Sequence, residues 1–243
     1  MASTYALAST GCRDSAAPPT VTQDQLAQIT AVFAATDASY DAADKAFQAA
    51  VAKLDAVTPS TAPCTVPFNM DESSHAIDQL AWQLRDARIA HSSVRMGTVT
   101  VTGDRTQLAK LTSAGVFVRR DEQQRLLARE DDYATLAGPA LIARARELTA
   151  QPLRTELLIV ITAGADPKLL DGDRFAAGTA TAHAYLYAAA DHRFVCAGEV
   201  SATSSNVVNT FAADPGSDNN AGLTADLYIN LIEEAQQSLR AAR

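Results

Sequence analysis

The side chains that could act chemically are concentrated in one alternating segment, GTATAHAYLY, at residues 178–187. The alternation predicts a β-strand with one polar face, which carries Thr179, Thr181, His183, Tyr185 and Tyr187. Hydroxyl groups and an imidazole that converge on a concave surface can bind a small molecule or transfer a proton. The same face could equally pack beneath a helix. A cavity over this face would favour a small-molecule-binding protein or an enzyme, whereas a packed helix would remove that idea.

No other pattern in the sequence points to catalysis or to metal binding. The four histidines, at positions 75, 91, 183 and 192, share no metal-ligand spacing. The sequence has no nucleophile elbow, no phosphate-binding loop and no dinucleotide fingerprint. The segments at 171–174 and 214–220 carry carboxylates, but they lack the ligand positions of a calcium loop. We therefore predict no catalytic residue, no metal site and no cofactor, and we favour a non-enzymatic protein over an enzyme.

Composition limits the possible classes further. The chain has 243 residues, of which 47% are hydrophobic and 20% charged, as expected of a globular protein with a sizeable core. Its formal net charge is −8 and its basic residues are scattered, which argues against a nucleic-acid partner. No apolar run approaches the roughly 18 residues that a membrane-spanning helix requires.

The first of the three cysteines, Cys12, stands directly after Ser9-Thr10-Gly11. This stretch resembles the signal-peptide box of bacterial cell-envelope lipoproteins, in which small residues precede the cysteine that becomes lipidated. The resemblance implies a lipid anchor at Cys12 that holds the protein to a membrane of the cell envelope, facing the periplasm. Eleven residues precede Cys12 and none of them is Lys or Arg. An ordinary N-terminal segment of a cytoplasmic protein is therefore the alternative.

The other two cysteines, Cys64 and Cys196, remain as an even pair if lipid modifies Cys12. We predict that they form a disulfide if the protein is exported to an oxidising compartment. The alternative is two buried thiols that pack as small hydrophobic groups. A disulfide requires that the two Cα atoms lie roughly 4.4–6.8 Å apart.

A second resemblance covers the C-terminal stretch HAYLYAAADHRFVCAGEV, at residues 183–200. It is similar to a strand hairpin found in several bacterial envelope lipoproteins and transport-auxiliary lipoproteins, and it brings no catalytic residues with it. The implied function is a tethered interaction module that offers a surface to another envelope protein. Whether Cys196 shares a sheet face with His183 depends on the length of the loop between the strands.

A long amphipathic helix is predicted near the N-terminus. Thr22-Gln-Asp-Gln25 is a capping-box pattern that marks the helix start. Apolar residues then recur every seven positions, at Leu26, Phe33, Tyr40, Phe47 and Leu54. The helix is expected to cover about residues 22–57, with a possible break at 36–39. Residues 1–20 are polar and contain proline, and are predicted to form a disordered leader or tether.

The remaining pattern predicts helices interleaved with strands. Strands are expected near 65–69, 92–103, 116–118 and 156–164, and helices near 73–90, 122–149 (interrupted at 138–139) and 223–239. A short helix capped by Asp104 should follow the strand at 92–103. We predict an α+β fold with an antiparallel sheet that ends in a C-terminal strand meander, flanked by long amphipathic helices, in one domain over residues 21–243.

If residues 1–20 form a tether, they are dispensable for folding. A chain that begins at Val21 should unfold at the same temperature as the full chain when thermal unfolding is followed by circular dichroism. A melting temperature several degrees lower would contradict the prediction.

Overall fold

The computed structural model describes residues 19–57, 59, 64, 93–170, 174–205 and 220–240. Most of the predicted leader, Cys12, the strand predicted at 65–69 and the helix predicted at 73–90 therefore lie outside the described residues. The same holds for His75, His91 and most of both carboxylate-rich segments. None of the described helices combines the length and the apolar composition that crossing a membrane demands.

The N-terminal helix, α1, covers Gln23–Val51. The predicted capping box is present, since the backbone N–H of Gln25 donates to the Thr22 hydroxyl and the N–H of Thr22 donates to the Gln25 side chain. The apolar stripe is buried at Ile29, Phe33, Tyr40 and Phe47. The helix is continuous through residues 36–39. It ends six residues earlier than predicted, and a short 3-10 turn at Leu54–Ala56 follows it.

The single strand predicted at 92–103 is a hairpin of two short strands, β1 (Ser93–Met96) and β2 (Val99–Thr102). The reversal occurs at Gly97, whose φ of 53° lies in the left-handed region that glycine adopts without steric cost. Apolar and polar residues alternate on both sides of this glycine, so the sequence pattern alone predicts one strand.

A helical crossover connects β2 to the next strand. As predicted, Asp104 caps a short 3-10 helix, Arg105–Lys110, and accepts a hydrogen bond from the backbone N–H of Thr106. The strand predicted at 116–118 is wrong, because these residues belong to α2 (Ala114–Ala128), which Ser113 caps. Arg129, in the left-handed conformation, caps the C-terminus of α2. The next helix, α3 (Gly138–Ala150), has a proline in its first turn.

The main sheet has five strands in the order β1-β2-β3-β6-β7, with β3 (Glu156–Ala165) at its centre. The C-terminal strands β6 (Thr179–Ala188) and β7 (Arg193–Thr203) form the predicted antiparallel meander with β3. A small ribbon, β4 (Lys168–Leu169) with β5 (Phe175–Ala176), lies between β3 and β6 in sequence. The α+β fold is confirmed. The sheet is mixed, because β2 pairs with β3 in parallel through the helical crossover.

Helices pack on both faces of this sheet. The C-terminal helix, α4 (Asn220–Arg240), packs on one face through Leu227, Leu231 and Ala235. The C-terminal end of α1 packs on the opposite face through Phe47 and Val51. We call these the α4 face and the α1 face. The N-terminal half of α1 leaves the sheet and packs on α2 and α3 in a separate cluster around Phe33.

Phe33 is 5% exposed in that cluster, so replacing it with alanine leaves a cavity. Phe33→Ala should lower the free energy of unfolding by about 3–5 kcal/mol, measured by urea denaturation. Leu127→Ala, on the exposed side of α2, is the control and should cost less than about 1 kcal/mol. Equal effects of the two substitutions would show that the stripe on α1 does not form a core.

Candidate functional site

The predicted ligand face of β6 is divided in two by α1. Tyr185 and Tyr187 are 3% and 1% exposed, in the core of the α1 face. The Phe47 ring meets the Tyr187 ring edge-on at 5.0 Å, and Phe194 contacts both tyrosines. The prediction that Tyr185 and Tyr187 belong to an open ligand face is therefore wrong, because a helix end covers them. Thr179, Thr181 and His183, nearer the start of β6, are not covered in this way.

Cys196 lies on the opposite face of the sheet from the tyrosines. It pairs with Leu186, and the register shifts between Leu186 and Tyr187. Because directly paired residues share a face, Cys196 packs with the α4 face. The predicted pairing is present: a disulfide joins Cys64 to Cys196, and their Cα atoms are 5.7 Å apart. Cys64 also donates its backbone N–H to the carbonyl of Leu239.

His183 marks the boundary between the buried and the open part of the α1 face. A hydrogen bond of 3.2 Å joins its Nδ1 to Tyr185 Oη. Burial raises the pKa of Tyr185, so this hydroxyl keeps its proton, and the tautomer of His183 determines which of the two groups donates. Nε2 of His183 lies 3.9 Å from Oε1 of Glu199, which is beyond hydrogen-bond distance.

An open depression of about 330 Å³ lies over this part of the α1 face. Thr162 and Thr181 line it together with His183, Glu199 and Ser201. Sequence reasoning found Thr181 and His183 but missed the other three, which come from the neighbouring strands. Glu199 and Ser201 line the depression because they pair directly with His183 and Thr181 across the two strands. The alternating pattern of β7 could have identified these two, once the register was known.

A second depression, of about 340 Å³, lies between β7 and α4. Its walls are Ser201 and Thr203 from the strand and Asn230, Glu233 and Glu234 from the helix. Ser201 therefore borders both depressions. Both are shallow and polar, and they are better suited to an extended molecule lying across the surface than to an enclosed small ligand.

A buried carboxylate at the start of β3 is the strongest polar feature that sequence reasoning missed. Glu156 is 2% exposed and accepts hydrogen bonds from the Ser113 hydroxyl and from the backbone N–H of Ala114, at the N-terminus of α2. Its cross-strand partner, Tyr187, has a buried hydroxyl with no hydrogen-bond partner among the described residues. Burial raises the pKa of Tyr187 to about 12, and the negative charge of Glu156 adds to the shift.

Charged groups around Glu156 connect it to two further elements, β1 and α1. Arg95 of β1 attracts its carboxylate and also that of Asp44 on α1, and it donates to the carbonyl of Thr112. Asp44 in turn accepts the backbone N–H of Ser113. Because Ser113, Glu156 and Tyr187 are each at most 2% exposed, this cluster holds α2 against the sheet and is closed to a substrate.

In the part of the chain that the structure describes, no three His, Cys, Asp or Glu side chains converge as metal ligands would. Comparison with known proteins gave no match to any family model, to any curated protein or to any solved structure.

Burial raises the pKa of Glu156 above its ordinary value of 4.5, although hydrogen bonds from Ser113, Ala114 and Gly115 and the charge of Arg95 lower it in part. Ionisation of Glu156 is therefore less favourable in the folded than in the unfolded chain. Its contribution to stability is fully present below pH 4.5 and is lost as the pH rises through the raised pKa.

Glu156→Gln, which cannot ionise, should therefore become more stable relative to the wild type as the pH rises from 4 to about 8. The measurement is the difference in free energy of unfolding between the two proteins at each pH. Because other titrating groups are common to both proteins, they cancel in this difference. A difference that is constant over this range would contradict the assignment.

Proposed function

We propose that this protein is an exported, non-enzymatic interaction module of the bacterial cell envelope, anchored to a membrane by lipid on Cys12. The observation that carries the proposal is the disulfide between Cys64 and Cys196. Such bonds persist in oxidising compartments and are rare in the cytosol. With these two cysteines paired, Cys12 is the odd cysteine, and it stands in the lipobox-like stretch Ser9-Thr10-Gly11-Cys12.

The polar groups of the described residues favour binding over catalysis. The hydroxyl of Ser113 beside Glu156 resembles a nucleophile next to a base, but both are closed to solvent. On the open part of the α1 face, no described side chain that could act as a base is hydrogen-bonded to the hydroxyls of Thr162, Thr181 or Ser201. Nδ1 of His183 is hydrogen-bonded to Tyr185 instead. Hydroxyls and a carboxylate on an open sheet are well suited to surface recognition.

A small-molecule-binding protein is the second candidate function. The depression over Thr181 and His183 favours it, because these two residues belong to the originally predicted ligand face and remain open. Its shallow shape and the burial of Tyr185 and Tyr187 make it the weaker candidate.

Intact-mass analysis of the protein expressed from its natural start in a Gram-negative host tests the main proposal. We expect cleavage before Cys12, a diacylglyceryl addition on that residue, and the loss of two hydrogens at Cys64 and Cys196. Cys12→Ala is the matched control and should lose the lipid but retain the disulfide. An unmodified Cys12 together with two free thiols would overturn both the location and the anchor.

A further inference from the structure

Part of the backbone of the outer strand β7 has no hydrogen-bond partner among the described residues. The carbonyls of Glu199 and Thr203 point away from β6, because they accept hydrogen bonds from Ser238 and Asn230 of α4. In an antiparallel pair, every second residue directs both its N–H and its C=O outward. Ser201, between these two residues, therefore presents its N–H and its C=O on the same outer side.

The side chains of α4 follow this edge at matching intervals. Asn230 reaches Thr203 and Ser238 reaches Glu199, so the helix position midway between them, Glu234, lies beside Ser201. Asparagine and serine can donate to a carbonyl, whereas an ionised glutamate only accepts. Glu234 therefore cannot satisfy the carbonyl of Ser201. No hydrogen bond reaches this carbonyl on its outer side within the described part of the chain.

The two depressions provide space on both sides of this point. One opens on the α1 face and the other on the α4 face, and Ser201 borders both. Successive side chains of a β-strand point to opposite faces of a sheet. A strand added beside β7 would therefore direct its side chains alternately into the two depressions.

Three carboxylates surround the same edge. The side chain of Glu199 is 79% exposed, and Glu233 and Glu234 are exposed on α4. Among the described residues, no Lys or Arg lines either depression or forms an ion pair with these three carboxylates, and the nearest basic group is Nε2 of His183, 3.9 Å from Oε1 of Glu199. Complementary charge favours a basic partner, while an acidic one would be repelled.

We propose that the edge of β7 at residues 199–203 binds an extended segment of a partner protein that carries Lys or Arg. The segment adds to the sheet as a strand, pairs with the N–H and C=O of Ser201, and places its basic side chains against Glu199 on one face and Glu233 and Glu234 on the other. Strand addition obtains affinity from backbone hydrogen bonds and specificity from alternate side chains. The inference names the partner of the interaction module proposed above and rests on that proposal.

The carbonyls of Glu199 and Thr203 do not oppose this pairing. Each has a second lone pair beside the one that Ser238 or Asn230 uses. Binding can therefore begin at Ser201 and extend in both directions without displacing α4.

The test uses the full chain, labelled with ¹⁵N, and a capped six-residue peptide, Lys-Lys-Val-Val-Lys-Lys, which presents lysine on both faces of an extended strand. We expect the largest amide shifts at residues 199–203 and an affinity that falls as salt is raised. A peptide in which glutamine replaces lysine is the charge control and should bind more weakly. Equal binding of the two peptides, or shifts centred elsewhere, would overturn the proposal.

Variants separate the backbone contribution from the charge contribution. Ser201→Pro removes the outward N–H and should abolish binding, whereas Ser201→Ala keeps that N–H, loses only the side-chain hydroxyl and should retain most of the affinity. Glu233→Gln with Glu234→Gln should weaken binding about fivefold, while Asp37→Asn on α1 should not change it. Wild-type affinity in Ser201→Pro or in the double variant would overturn the proposal.

A peptide with every backbone amide methylated cannot pair with β7, and it provides the backbone test should Ser201→Pro fail to fold. Binding of this peptide with unchanged affinity would also overturn strand addition. All these measurements use purified protein without lipid. Their failure would therefore leave the anchor and the disulfide, which mass analysis tests, unaffected.

Discussion

The first half of β3 has to be covered on both faces, and the architecture follows from this constraint. Leu157 and Ile159 point to the α4 face, and Leu158 and Val160 point to the α1 face, each at most 1% exposed. A strand that is apolar on both sides is stable only between two packed layers. α4 lies on one side and the C-terminal end of α1 on the other. From Thr162 onward β3 is exposed, so the end of α1 determines where the sheet can offer polar groups to solvent.

Glu156 introduces a polar requirement at the start of the same strand. A buried carboxylate is costly unless hydrogen bonds and opposite charge compensate for its lost hydration. Here the N-terminus of α2 supplies N–H groups and a favourable dipole, and Arg95 supplies positive charge. Gly115 allows the close approach, since a Cβ at this position would lie 3.1 Å from Glu156 Oε1. The apolar faces of β3 do not by themselves fix where α2 begins, whereas this carboxylate does.

Local patterns predicted those elements whose signals lie within a short stretch of neighbouring residues. The capping box at Thr22, the stripe through Phe33 and Phe47, and the alternation of β6 are all read from neighbouring positions, and the elements they predict are present. The strand predicted at 116–118 was wrong, because Val-Phe-Val has high strand propensity but the cap at Ser113 and packing on α1 favour helix. Strand propensity is a weak guide when tertiary contacts compete with it.

The candidate site was only partly predictable for a different reason. Thr181 and His183 belong to one strand, but Glu199 and Ser201 join them through register, which depends on the hairpin turn and on the irregularity near Tyr187. No pattern within β6 could show that α1 covers Tyr185 but not His183. The pairing of Cys64 with Cys196 was accessible by counting, because the prediction that lipid modifies Cys12 leaves a single pair among three cysteines.

An exposed edge strand carries a risk of uncontrolled pairing, and natural proteins reduce this risk by covering the edge or by placing charge along it. β7 shows both devices, with Asn230 and Ser238 satisfying two of its carbonyls and carboxylates around the third. Gly198 permits the cover, since a Cβ there would lie 2.8 Å from the Ser238 hydroxyl. The four-residue step of a helix rises about 6 Å, close to the length of two strand residues, so a third donor at position 234 would complete the protection. A glutamate at this position cannot donate, so no described group covers the third carbonyl, and its charge repels acidic strands. In the proposed interaction the same charge favours a basic strand.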